Sequence, residues 1–173
     1  RALNAKQAGL SYLQCLAANA PARCGETILV LTNARKGLAY GARFTADEHG
    51  VPQPEGRIFL LPLPPLPEGT DLGAPDFVVG SAPVSNLDCL KAALPETSRL
   101  LVNASSPTPA ALTGMERLID WDAQDGSDIA PLYMRDCDAV ENLDAIARAQ
   151  GRTPALAHEE LERLTHAPLA EDR

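Results

Sequence analysis

The chain has 173 residues, with 15 basic against 23 acidic side chains and a formal net charge of −8. A hydrophobic fraction of 45% beside 22% charged residues is that of a globular domain with a core, which excludes a disordered chain, a collagen and a cysteine-stapled miniprotein. The acidic balance argues against direct nucleic-acid binding, which needs clustered Lys and Arg to displace counterions. No run of 18 apolar residues occurs, so no membrane-spanning helix is predicted. Only 4% of residues are aromatic, so the core must be aliphatic.

Taken in chain order, Leu10, Leu13, Leu16, Ala17 and Ala20 recur at helical spacing until Pro21, which predicts a helix ending near Asn19. Thr27–Thr32 is a short β-branched apolar run, and Leu38–Thr45 alternates with Leu38, Tyr40, Ala42 and Phe44 on one face. With a loop over Asn33–Gly37 between them, these two runs read as a hairpin, Tyr40 packing inward. Asp47–Gly50 reads as a second turn and Gly56–Leu61 as a third strand. The proline-dense residues 62–69 cannot continue that strand, because each Pro lacks a ladder donor, and they read as a stiff connector.

Asp76–Gly80 is the next buried strand, followed by a helix over 86–93 with Ser85 as its cap. Arg99–Val102 is another short strand. A helix to Leu118 follows, with Ser105, Ser106 and Pro107 supplying cap and first turn. Past an acidic stretch carrying Asp120, Asp122, Asp125 and Asp128, residues 139–149 and 155–165 are helical, separated by Gly151–Pro154. A helix, then a meander, then alternating strands and helices indicates an α/β domain.

Chemistry is thinly signalled. Neither a P-loop nor a G-x-G-x-x-G motif is present, and the nearest approach to a phosphate cradle is the turn at Gly80 and Ser81 between strand and helix. His158, Glu162 and His166 are spaced i, i+4, i+8 along one helix, without the metalloprotease pattern, and read as a solvated face. The four aspartates lack calcium-loop spacing and read as an exposed acidic loop. The three histidines, His49, His158 and His166, stand in no nucleophile motif, so no catalytic residue, metal or cofactor is assigned. Cys15, Cys24, Cys89 and Cys137 form no C-x-x-C pair and read as free thiols of a reducing cytoplasm.

Two segments together resemble a family. Ser11–Pro21 (S-Y-L-Q-C-L-A-A-N-A-P) followed by Glu26–Tyr40 (E-T-I-L-V-L-T-N-A-R-K-G-L-A-Y) is similar to the helix, strand and hairpin of the bacterial TsaB (YeaZ) proteins, in which D-A-R-x-G-E-V-Y is typical. Pro131-Leu132-Tyr133-Met134-Arg135 resembles their closing P-x-Y-L-R. Between them, Phe77–Ala82 (F-V-V-G-S-A) and Ser106–Met115 (S-P-T-P-A-A-L-T-G-M) fall where that family has a V-G-x-G-A turn and an alanine-rich helix. Order and spacing match over residues 7–136. Ala34, Arg35, Gly37 and Tyr40 keep the pattern, whereas Asn33 replaces the usual Asp, Leu38 the Glu and Ala39 the Val. Asn33 can still cap a turn but brings no charge.

The resemblance implies the second lobe of an actin-like, Hsp70-like (ASKHA) fold over residues 1–136, a mixed sheet with flanking helices, and a charged helical tail over 137–173. It implies a first lobe before Arg1, a residue that, not being Met, itself reads as a truncated or processed start. It also implies a non-catalytic subunit in threonylcarbamoyladenosine synthesis on tRNA, partnered by a TsaD-type catalytic subunit and a TsaE-type ATPase, with the tRNA held by those partners. Two other readings stand beside it: a small α/β transferase or hydrolase holding a phosphorylated ligand at the Gly80 turn, and a regulatory interaction domain.

Overall fold

The computed structural model describes residues 8–35, 37–121 and 143–165, which fall into two compact units, 8–121 and 143–165. The first is built on a five-stranded sheet of order β3-β2-β1-β4-β5. Its strands are β1 (Thr27–Arg35), β2 (Leu38–Ala46), β3 (Pro52–Pro62), β4 (Phe77–Val79) and β5 (Arg99–Leu100). β1, β2 and β3 form an antiparallel meander, whereas β4 runs parallel to β1 and β5 parallel to β4. Among the described residues this unit also holds helices α1 (Tyr12–Ala17), α2 (Ala82–Ser85), α3 (Leu87–Ala93) and α4 (Pro109–Glu116).

The period-two alternation of side chains sorts the core into two layers. Ile28 and Val30 of β1, Ala42 and Phe44 of β2, and Phe77 and Val79 of β4 pack with Leu13, Leu16 and Ala17 of α1 on one face. Leu29, Leu31, Ala39 and Val78 point the other way, onto Ala82 of α2 and Leu90 of α3. β1 and β4 are therefore apolar on both faces, as the unbroken runs I-L-V-L and F-V-V require. The mixed sheet with helices on both faces is the fold class expected.

Several boundaries differ from the sequence reading, each for a physical reason. β1 does not stop at Thr32: Asn33 pairs with Ala39 and Arg35 with Leu38, with Ala34 as an extra residue in the ladder, so most of the expected loop over Asn33–Gly37 is strand. Gly37, at φ +76, supplies the left-handed conformation of that tight turn. β3 begins at Pro52 rather than Gly56. It is the edge strand, and there Pro52, Pro54 and Pro62 can lack a donor without breaking the ladder. Gly56, at φ +72, lies within the register shift between the Gly41–Phe59 and Arg43–Glu55 pairs, so it forms a bulge instead of starting the strand.

Tyr40 is only partly buried and belongs to neither core layer, whereas Ala42 and Phe44 of the same strand pack with α1. The chain does turn at Asp47–Gly50 as expected, with Asp47 Oδ1 accepting from the backbone N–H groups of His49 and Val51, each at 2.9 Å. The connector after β3 is held by Arg43, whose guanidinium donates to the carbonyls of Leu72 (2.8 Å) and Asp71 (3.1 Å), while Leu63 and Leu72 enter the core.

The helix caps also moved. Ser85 is not a cap but the last residue of α2, its hydroxyl donating to the Ala82 carbonyl; Asn86 precedes α3. α4 is capped by Thr108, whose Oγ1 accepts from Ala111 N at 3.2 Å, with Pro109 in its first turn; Ser105–Pro107 lie just outside. Asn19 fastens that region to the end of α1, donating to the Ser106 carbonyl (2.8 Å) and accepting from Thr108 N (3.0 Å). In the second unit, α5 (Leu143–Ala149) and α6 (Pro154–Thr165) form a pair with Ala147 and Ala157 buried. Among the described residues no helix is long and apolar enough to cross a membrane.

Candidate functional site

In open α/β sheets a ligand crevice forms outside the carboxyl ends of parallel strands. Here those are the ends of β1 and β4, which bring Thr32 and Asn33 beside Gly80 and Ser81. Ser81 Oγ shares a 2.8 Å hydrogen bond with Thr32 Oγ1 and accepts from Asn33 N at 2.9 Å. Asn33 Nδ2 reaches the Ser81 carbonyl at 3.5 Å and Ser85 Oγ at 3.4 Å. Thus Asn33, which carries no charge, couples the hairpin to α2.

Gly80 closes this joint from below. Its N–H donates to the Ala104 carbonyl at 2.9 Å, and its φ of +112 with a virtual Cβ only 2.2 Å from Leu31 O admits no side chain. Pro83, two residues past Ser81, has no N–H to offer. A phosphate cradle needs several convergent backbone donors. The Gly80 N–H and the Ser81 hydroxyl are instead engaged in joining β1, β4 and the loop at Ala104.

Of the other residues singled out by sequence, Ala34 and Gly37 shape the hairpin, and Arg35 is exposed at its tip. Tyr40 stands opposite Leu60 of β3. Pro131, Tyr133 and Arg135 lie outside the described residues, as do Asp122, Asp125, Asp128, Cys137 and His166. His158 Nε2 sits 2.8 Å from Asp144 Oδ1, joining α6 to α5, and Arg152 pairs with Glu160 across the same corner. Among the described residues no three His, Cys, Asp or Glu side chains converge as metal ligands would. Cys15, Cys24 and Cys89 are free, and burial pushes the Cys15 thiol above its ordinary value. The Thr32–Ser81 bridge and the Asn19 clasp escaped the sequence reading, since each joins residues far apart in the chain and neither has a local pattern.

No family model matches the chain and no curated protein matches it in sequence. Among solved structures the chain is similar to an uncharacterized protein with similarity to peptidase YeaZ from Pseudomonas aeruginosa, at 20% identity and a TM-score of 0.52, covering 73% of this chain and 57% of that one. It is also similar to YeaZ from Pseudomonas aeruginosa, at 16% identity and a TM-score of 0.48, covering 72% of this chain and 57% of that one. The chain thus spans 57% of the length of either protein. The first likeness is one of fold alone: the chain shares an α/β architecture, here a mixed five-stranded sheet with helices on both faces, with that protein.

Proposed function

We propose that this chain is a lobe of a TsaB-type scaffold that supports a TsaD-type catalytic subunit, with a TsaE-type ATPase, in threonylcarbamoyladenosine modification of tRNA, and that it performs no catalysis itself. The observation that carries this reading is the joint at Gly80. The turn that comes nearest to a phosphate cradle devotes its glycine N–H to the Ala104 carbonyl and its serine hydroxyl to Thr32 and Asn33 of β1, which suits a rigid platform better than a nucleotide pocket. The YeaZ-like fold and the net charge of −8 support it too, the latter because tRNA would be bound by partners rather than by this surface.

The test is co-purification with the TsaD-type subunit of the same organism, beside calorimetry with ATP. A stable complex, with no ATP heat from this chain alone at micromolar concentrations, is the expected result. Absence of any complex, or micromolar ATP binding by the isolated chain, overturns the reading. Substituting Gly80 is no control for nucleotide binding, since a Cβ there collides with the β1 backbone.

A further inference from the structure

We propose that the cavity between the end of α1, the β2–β3 turn and α4 is a binding site for a small carboxylate with an apolar tail, a role separate from the scaffold function. The cavity holds about 540 Å³ and is partly open to solvent, a size within the usual range of small-molecule sites. Its floor is apolar, formed by Pro52, Ala111 and Met115, all buried. No acidic side chain lines it.

Its positive charge comes from Arg117, which follows α4 and whose guanidinium makes no ion pair or hydrogen bond with any described residue. The other basic group of the rim, His49, already has Glu48 at 3.5 Å. In a chain of net charge −8, an unpaired guanidinium over an apolar floor is a local exception that fits one carboxylate.

Gly114 supplies the second argument. It lies within α4, where glycine weakens a helix relative to alanine, yet its backbone is not left-handed and a Cβ there would meet nothing within 4 Å. Neither conformation nor close packing asks for glycine at this position. What its missing side chain does is leave the cavity wall open, as Ala18 and Ala110 do beside it.

Calorimetry of the whole chain with octanoate, butanoate and octylamine tests the proposal. Octanoate is expected to bind with one site, about tenfold or more tighter than butanoate because more methylenes are buried, and about tenfold tighter than octylamine, whose charge is wrong for Arg117. Arg117→Gln should weaken octanoate about tenfold. Gly114→Leu should keep or raise the melting temperature while weakening octanoate about tenfold or more, since it fills the cavity. Ala110→Leu, at an exposed lining position, gives the same readout should Gly114→Leu fail to fold. No octanoate heat at millimolar concentration, equal affinity for octylamine, or full octanoate affinity in either filled variant or in Arg117→Gln overturns it.

Discussion

The carboxylate of Asp76 accepts from Thr27 N at 2.8 Å and from Thr27 Oγ1 at 3.0 Å, while Asp76 N donates back to the Thr27 carbonyl. One side chain thereby fixes where β4 begins relative to β1. Next to it Arg99 lies 3.7 Å over the Phe77 ring and pairs with Glu26 at 3.0 Å, locking β5 to the same end of the sheet. Hydrogen bonds from Thr27, aided by nearby Arg99, hold the Asp76 carboxyl below the usual carboxylate range despite its partial burial. A folded-state value below the unfolded one means that Asp76 stabilises the fold above the ordinary carboxylate range, near pH 4, and that this contribution is lost as pH falls through the folded value. Asp76→Asn keeps the size of the side chain but loses its charge, and should cost about 1.5–3 kcal/mol at neutral pH. Thermal melts from about pH 7 down to 2 should show the variant's deficit shrinking on the acid side; a deficit that stays constant with pH would mean that the charge of Asp76 does not matter.

At the level of elements, β2 separates two aromatic residues that its alternation places on one face. Phe44 is 4% exposed and packs under α1 with Leu16 and Phe77, whereas Tyr40 sits past the end of that cover. Phe44→Ala should therefore cost about 3–5 kcal/mol as a core deletion, and Tyr40→Ala only about 1 kcal/mol as a partly exposed site. Equal losses in urea melts would show that Tyr40 is packed as deeply as Phe44.

The alternation of β2 was legible because it is a local pattern, and so were the apolar runs of β1 and β4. What covers each face was not, since that depends on where a six-residue helix from the start of the chain docks. The full length of β3 was hidden for a different reason. Prolines at 52, 54 and 62 forbid a central strand, but being at the edge is a property of the sheet and not of the segment. The Gly80 turn could be found by its strand-glycine-helix pattern; that its polar groups are engaged could not, because their partners, the Ala104 carbonyl and Thr32 and Asn33 of β1, are far away in sequence.

At the scale of the molecule, stability should be graded outward from β1. β1 is hydrogen-bonded on both sides, to β2 and β4, and Ile28–Leu31 are at most 1% exposed. Opening it requires separating both neighbours and wetting both core layers, which is close to unfolding the whole unit. Among the described residues β3 has only one neighbour, and three of its positions are prolines, while β5 is two residues long. The α5–α6 unit buries Ala147 and Ala157, but its helices have 7 and 12 residues, lengths that are marginal without extensive packing. Amide exchange followed by mass spectrometry should therefore find the slowest protons in Ile28–Leu31 and Phe77–Val79, faster ones in β3, and the fastest of the regular elements in α5 and α6. Exchange from β1 should track global unfolding in denaturant, whereas exchange from α5 and α6 should be nearly insensitive to low denaturant, the mark of local opening. Should α5 and α6 exchange as slowly as β1, their stability must come from a cooperative unit with a larger core than Ala147 and Ala157 supply.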